Sequence, residues 1–434
     1  MREMKDSGVA WIGEIPAHWN LVRLKSLIVT RDGGAWGEEA AGRDGDMICL
    51  RIADFDYQRY CFKSHGELTV RHFKPDVIER LRLMPGDILV EKSGGGEKTP
   101  VGRAVLFDKD YSALYSNFMD RLRCKEGINP QWLLYNWATL YANNYTRPYI
   151  KQTTGIQNLD ISGLLSSQFI ALPSENEQEK VLSVVLNESK KVDALIVNVQ
   201  SQIEKLKAYK QSLITEVVTK GLDPTVPMKD SGVEWIGEIP EHWEIKRGKA
   251  LFKETEVRSA DGSEELLTVS QYTGITPRSQ KNVTMFEALS LEGYKICEIG
   301  DIAANTMWLW AGAIGVSEYR GVISPSYNVY RQRSHNFVSQ YLDHLLRAPM
   351  LVQEYASLST GIRASRLRLY PKDFLNIRFP VPPIEEQQVI LDALGSKFSA
   401  VDRLIATKQA KIEKLEQYKR SLIYEYVTGK REVV

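Results

Sequence analysis

The stretch Lys190 to Thr219, KKVDALIVNVQSQIEKLKAYKQSLITEVVT, returns near the other end of the chain, and that return governs what the sequence can fold into. Val192 to Thr219 matches Val401 to Thr428 at 17 of 28 positions, at a constant offset of 209. In both copies apolar residues recur at alternating spacings of three and four. They are Val185, Val192, Ile196, Val199, Ile203, Leu206, Leu213 and Val217, then Leu394, Phe398, Val401, Ile405, Ile412, Leu415, Leu422 and Tyr426. That period is the seam of a coiled coil. Lys210 and Lys419 interrupt it at equivalent positions, where a cation lowers stability but can fix register. Two seams in one chain are expected to pair with each other.

A second repeat stands ahead of each seam. Met4 to Trp19, MKDSGVAWIGEIPAHW, recurs as Met228 to Trp243, MKDSGVEWIGEIPEHW, identical at 14 of 16 positions with an offset of 224. Self-similarity of this kind sets the domain plan before any local reading. The chain divides into an entry segment 1–19, a variable region 20–173, a long helix 174–221, a linker with second entry segment 222–243, a variable region 244–383 and a final long helix 384–434. The drop in offset from 224 to 209 makes the first variable region 15 residues longer than the second. Gly221 to Pro227, GLDPTVP, supplies the helix stop: a glycine after the last turn, then prolines.

The variable regions share punctuation rather than sequence. Pro85-Gly86-Asp87-Ile88 has a counterpart in Ile299-Gly300-Asp301-Ile302, each a turn into an apolar run, and Thr154-Gly155-Ile156 one in Thr360-Gly361-Ile362. Short β-rich runs (Met47 to Ile52, Val101 to Phe107, Ile314 to Val316, Tyr327 to Tyr330) alternate with helical ones (Trp132 to Tyr141, Val338 to Leu346). The expected class is therefore α/β (mixed α+β), with two similar globules separated by two long helices. Each helix leaves one globule, and the first ends at the linker into the second globule, so helices that pair over most of their length run antiparallel. A helix of this length spans roughly 65 Å, which would hold the globules apart with an approximate two-fold relation between them.

Composition narrows the functional classes. At 434 residues, 43% apolar and 26% charged, the chain has the make-up of an ordinary globular protein of two or three domains, not a disordered or collagen-like one. Its start lacks the apolar core of a signal peptide and no run reaches bilayer-spanning length, so a cytoplasmic location is expected. Cys49, Cys61, Cys124 and Cys297 form no CxxC pair and read as buried small hydrophobes. A net charge of +1 means that any nucleic-acid surface must be local.

Two similar globules at fixed distance and inverted orientation suit two separated half-sites on a duplex whose helical repeat is about 34 Å. Such a reader needs polar loops for base edges and cations for phosphate. In the first globule the candidates are Lys92, Ser93, Gly94, Gly95 and Lys98, with Lys151, Gln152, Thr153, Thr154, Gly155, Gln157 and Asn158. In the second they are Ser270, Gln271 and Tyr272, then Thr306, Trp308 and Trp310, then Thr360, Gly361, Arg363, Ser365 and Arg366. Between Leu345 and Arg378 six Arg or Lys stand against two acids, the clearest local basic excess. Catalytic motifs fare worse. Gly94 to Thr99 lacks the GxxxxGK[ST] spacing of a phosphate loop, no GxSxG or HExxH occurs, and the six histidines show no metal-ligand spacing. No glycine-rich methyl-donor loop is followed by Asn-Pro-Pro-aromatic. Trp11, Trp19, Trp235 and Trp243, in the repeated box, read either as staples between globule and helix or as two equivalent docking surfaces for a pair of partners.

Taken together, the tandem box, the Gly-Asp-Ile turns, Leu172-Pro173 with Glu177-Gln178, Pro382-Pro383 with Glu386-Gln387, and long helices carrying Ile-Glu-Lys-Leu and Ser-Leu-Ile resemble the specificity subunit of type I restriction-modification systems. The resemblance spans essentially the whole chain. It implies two target recognition domains, each reading half of a bipartite double-stranded DNA sequence, and an antiparallel coiled coil that sets the spacer. It implies as partners two methyltransferase subunits and restriction subunits, with S-adenosylmethionine, ATP and magnesium belonging to those partners and no cofactor held by this chain. On this view the chain is no enzyme, and the seam residues Val192, Ile196, Ile203, Leu206, Leu213, Val401, Ile405, Ile412, Leu415 and Leu422 match the family's spacer helices. Base-reading residues do not carry over, since members differ there. The competing expectations are a fused reader and modifier enzyme, and a coiled-coil scaffold that never touches DNA.

Overall fold

In the computed structural model the described residues are 2–64, 66–97, 99–152, 155–281, 290–361 and 367–433. The chain forms two compact units, Met1–Val199 with Ala410–Val434, and Gln200–Gln409. Each unit therefore holds one globule and a half of both long helices, Glu175–Lys220 and Ile384–Val427.

The first unit opens with the box folded as a hairpin, Met4–Asp6 against Glu14–Pro16. Asp6 Oδ1 accepts the Gly8 N–H at 2.9 Å, an Asx turn that explains the Asp-Ser-Gly sequence at the bend. The globule is built on a six-stranded sheet ordered Ile28–Gly33, Met119–Cys124, Ile88–Glu91, Ala104–Leu106, Cys61–Phe62, Phe55–Asp56. Helix Pro130–Ala142 packs on it. Its start is legible in the sequence: Pro130 takes the first helical position and the Asn129 side chain accepts the N–H groups of Gln131 and Trp132. Trp132 and Trp137 fill the core beneath, and Trp137 Nε1 donates to the Gly102 carbonyl at 2.8 Å. The strand expected from Val101 to Phe107 is confined to Ala104–Leu106, because the Val101 N–H is taken by the Gln157 side chain instead of a neighbouring strand.

The second unit repeats the plan. Its box forms the same hairpin, Met228–Asp230 against Glu238–Pro240, with the same Asp230 to Gly232 turn. Its central sheet runs Phe252–Thr255, Asn328–Gln332, Ile302–Ala304, Ile314–Val316, which matches the first four strands of its counterpart in order. Helix Ser339–Leu346 occupies the place of Pro130–Ala142.

The shared Gly-Asp-Ile turn now has a physical reason. Gly86 and Gly300 take positive φ (97° and 87°), a conformation that favours glycine. The following carboxylate closes the turn: Asp87 Oδ2 accepts the Met84 N–H and Asp301 Oδ2 the Glu298 N–H, at 2.8 and 2.9 Å. Each aspartate is 1% exposed and is held by two bonds from an arginine of the adjacent strand, Arg123 at 2.8 Å and Arg331 at 2.7 Å. A buried carboxylate needs this pairing to remain charged.

The long helices pair antiparallel within each unit. In the first, Val181, Leu182 and Val185 share a core with Leu422, Ile423, Tyr426 and Val427. In the second, Leu213, Val217 and Val218 share one with Ile390, Leu391 and Leu394. Val192, Ile196, Ile203, Leu213, Val401, Ile412 and Leu422 are buried, while Leu206, Ile405 and Leu415 are half-buried. The two seam lysines make the same ion pair twice. Lys419 Nζ meets Asp193 at 2.8 Å in the first unit, and Lys210 Nζ meets Asp402 at 2.8 Å in the second.

Candidate nucleic-acid interface

The two loops singled out in the first globule come together as one small sheet. Ser93–Gly94 pairs with Gln157–Leu159, which pairs in turn with Ile150–Gln152. The register sets Ser93 opposite Asn158, Gly94 opposite Gln157, and Lys151 opposite Asn158. Ser93 Oγ donates to Asn158 Oδ1 at 2.6 Å, so hydroxyl and amide form one hydrogen-bonding unit whose remaining donors and acceptors face outward. A Cβ on Gly95 would lie 2.5 Å from the Val101 nitrogen, so the backbone approach here admits only glycine. Gln157 is turned inward, its Oε1 accepting the Val101 N–H at 3.1 Å, and it holds the sheet to the globule rather than offering its amide to a ligand. Gln152 and Gly155 sit at the exposed end of the hairpin. Lys151 reaches Asp160 at 3.5 Å, and Lys92 reaches the buried Asp120 at 3.1 Å, a carboxylate that Arg31 also contacts at 2.6 Å. Lys98, Thr153 and Thr154 lie outside the described residues.

The second globule's candidates remain on three separate segments that border one helical corner, Ser339–Leu346 followed by Pro349–Leu358. Ser270, Gln271 and Tyr272 form the turn between Leu267–Ser270 and Gly274–Pro277. Arg347, at the end of the first helix of the corner, holds that turn by donating to the Tyr272 carbonyl at 2.8 Å, and Tyr272 stands 81% exposed. The turn Leu309–Ala311 packs on the second helix; there Trp308 and Trp310 stack with centroids 5.7 Å apart, and Trp308 is exposed. Thr306 is tied back to the Ser326 carbonyl. Thr360 follows the end of Pro349–Leu358, bridging to Arg368, with Gly361 exposed beside it. Arg363, Ser365 and Arg366 lie outside the described residues.

The box tryptophans are buried staples. Trp11 packs among Leu422, Ile423 and Tyr426, and its carbonyl accepts the Tyr424 hydroxyl at 3.1 Å; Trp235 packs among Leu213, Val217 and Val218. Trp19 and Trp243 donate to Glu177 and Glu386 at 3.3 and 3.0 Å, and the adjoining His18 and His242 contact the same carboxylates at 2.7 Å. For Glu177, burial raises the carboxyl pKa, but bonds from His18, Ser174 and Trp19 outweigh it and bring the group down to about 2. Each box thus clamps the start of one long helix and packs on the end of the other.

Sequence reasoning did not find two further surfaces. One is a recess of about 390 Å³ beside the small sheet, with exposed Trp36 and Phe118 on its walls. The other is a repeated pair of exposed apolar residues beside the seam. Leu195 and Tyr418 each precede a seam position at the level of Asp193–Lys419, and Tyr209 and Leu404 do so at the level of Lys210–Asp402. Antiparallel pairing brings like flanks of the two helices to one side, so each unit carries a Leu–Tyr patch. The sequence signal for them is that Leu195 and Leu404, and Tyr209 and Tyr418, repeat at the 209 offset as apolar residues outside the seam period.

Among the described residues no cluster of three or more His, Cys, Asp or Glu is placed to hold a metal ion. Burial pushes the thiols of Cys49 up to about 11 and of Cys124 and Cys297 up to about 12, far from a nucleophile's range. No described helix is long and apolar enough to cross a membrane.

The family model of the type I restriction modification DNA specificity domain matches residues 238–417. A protein of Methanocaldococcus jannaschii, provisionally named the type I restriction enzyme MjaX specificity subunit, is 25% identical over 437 residues, covering 96% of this chain and 95% of its own. The type I restriction enzyme MjaVIII specificity subunit of the same organism is 26% identical over 295 residues, 64% of this chain and 65% of its own. A chain from a solved structure concerned with complex assembly and conformational transition of the type I R-M system superposes with a TM-score of 0.58 at 14% identity, covering 96% of this chain and 99% of that one. That last likeness is one of fold.

Proposed function

We propose, for a chain that belongs to the type I restriction-modification specificity-subunit family, that it is the DNA-recognition subunit of such a complex, each globule reading one half of a bipartite target. The observation that carries this reading is the duplication itself: the same sheet order, the same Gly-Asp-Ile clamp and the same helix-pair lysine contact occur once per unit. The reading surfaces differ between units, as two unlike half-sites require. In the first unit the surface is the sheet carrying Lys92, Ser93, Asn158 and Lys151; in the second it is the corner bearing Tyr272, Trp308 and Thr360. The paired helices set the spacer between the half-sites.

The chain itself carries out no catalysis and acts by placing its partners. Its partners are DNA and the other restriction-modification subunits. Two methyltransferase subunits fit the Leu195/Tyr418 and Tyr209/Leu404 patches, one for each, because equivalent patches recruit equivalent partners. Restriction subunits join that assembly, and S-adenosylmethionine, ATP and magnesium act on the partner subunits.

The test is reconstitution. Purified chain alone should neither methylate nor cleave, whereas chain with its cognate methyltransferase should modify adenine at one bipartite motif and bind duplex with a steep salt dependence. Methylation by the isolated chain refutes the reading. So does absent duplex binding by the complex, which would mark a protein-bridging scaffold.

A further inference from the structure

We propose that the recess between Trp36 and Phe118 in the first unit is a nucleobase site, which takes one unstacked base of the half-site that this unit reads. The inference rests on the DNA-reading function above. Trp36, Arg51, Ile52, Ser116, Asn117 and Phe118 line a space of about 390 Å³, at the small end of ligand pockets and suited to one base rather than two. Its two aromatic rings are exposed, which leaves apolar faces uncovered at a surface otherwise rich in polar groups.

Trp36 is held in place. The Arg71 guanidinium lies 4.9 Å over its ring and donates to the Trp36 and Gly37 carbonyls, both at 3.2 Å. Phe118 is fixed from the other side: its carbonyl accepts the Lys92 and Ser93 N–H groups at 2.8 and 3.1 Å. The recess therefore opens directly beside Lys92, Ser93 and Asn158. Charge also fits a nucleic acid. Arg31 and Lys92 share the single carboxylate of Asp120 and Arg71 donates to carbonyls, so two cations stand at this edge beyond what that acid pairs, while the lining Arg51 is taken by Asp54 and Glu38 and Glu39 stand exposed on the strand after Trp36. A base offers flat faces to the rings and a polar edge to Ser116 and Asn117, and a phosphodiester meets the cations. Stacking on aromatic side chains is the general means by which proteins hold bases freed from a duplex.

The experiment uses the full chain assembled with its methyltransferase, on duplexes carrying 2-aminopurine at one position at a time through each half-site. Binding should change the fluorescence strongly at one position of the first unit's half-site other than the adenine that the methyltransferase itself extrudes. Trp36→Leu and Phe118→Leu should abolish that change and weaken discrimination at this half-site roughly five- to hundredfold, the range of base–aromatic stacking. Protection of the second half-site should persist in both variants, which reports that the complex is folded and bound. Wild-type complex that reads both half-sites, with no position responding besides the methylated adenine and neither variant altering discrimination, overturns the base site and leaves the reader intact. A wild-type complex with no preference at the first half-site overturns both.

Discussion

Replacing Lys419 by methionine should loosen the helix pair locally, whereas the same change at Lys210 should do so far less, although the two lysines are equivalent in the repeat. The difference lies in their surroundings. The Lys419 side chain is 9% exposed and its partner Asp193 29%, and Nζ also donates to the Gln58 carbonyl at 2.8 Å. Removing the lysine leaves a half-buried carboxylate and a carbonyl without their donor. Loss of one member of a buried pair costs about 3–5 kcal/mol; partial exposure of Asp193 lowers the expectation to about 2–3 kcal/mol. The Lys210 side chain is 26% exposed and Asp402 58%, so that pair falls in the exposed class at about 0–1 kcal/mol, and a methionine in the seam recovers apolar contact. A two-unit chain need not unfold in one step, so hydrogen exchange of the helix amides is the suitable assay. Amides of 190–199 and 415–424 should exchange roughly 30- to 150-fold faster in Lys419→Met, and those of 200–209 and 398–407 less than about fivefold faster in Lys210→Met. A cycle with Asp193→Asn should return most of the Lys419 effect as coupling. Equal acceleration in the two variants, or a cycle without coupling, would show that burial does not govern these pairs.

Three further outcomes are expected. Inserting or deleting two whole heptads in Val192 to Thr219, matched in Val401 to Thr428, should change the methylated motif's spacer and leave both half-sites as they were; methylome sequencing of cells carrying the variant reads this directly, and an unchanged spacer removes the helices as the ruler. The Glu177 carboxyl lies below its unfolded value, so its contribution is present above about pH 4.5 and disappears as pH falls toward about 2; Glu177→Gln should flatten the acid limb of first-unit stability, followed by Trp19 fluorescence, while a limb as steep as wild type would assign acid sensitivity elsewhere. Leu195→Asp with Leu404→Asp should cut co-purification of the methyltransferase at least about tenfold, since charge in an apolar interface is left unpaired, with circular dichroism unchanged; undiminished co-purification moves the docking surface off the helices.

Much of the fold could be read before any coordinates. The box, the seam and the Gly-Asp-Ile turn are local patterns, and duplication showed each of them twice: Asp6 and Asp230 make the same turn, and Asp87 and Asp301 the same clamp. The candidate interface was legible only as separate loops. Ser93 meets Asn158 across 65 residues of sequence, and nothing in the composition of either loop encodes that pairing. Gln157 looks like any polar loop residue, yet its amide faces inward to the Val101 N–H, a role set by the register of the small sheet. The Trp36–Phe118 recess escaped for a related reason, since its walls come from distant segments joined only when the Ala35 N–H meets the Tyr115 carbonyl and the Ser116 N–H the Leu50 carbonyl. The lysines in the seam were placed correctly, but their unequal burial depends on the Gln58 carbonyl reaching Lys419.

The first unit is closed by residues 410–434, and the bond from the Tyr424 hydroxyl to the Trp11 carbonyl joins groups 413 positions apart. Synthesis at about 5–20 residues per second puts tens of seconds between those two residues. Until the second long helix arrives, Trp11 and the seam face of Val185 to Val199 have no cover. The ribosome therefore releases a first reader that matures last, and any truncation or frameshift downstream leaves its stapled hairpin open. Such a chain would expose the apolar surface of Trp11 and the first-unit seam that the completed fold buries.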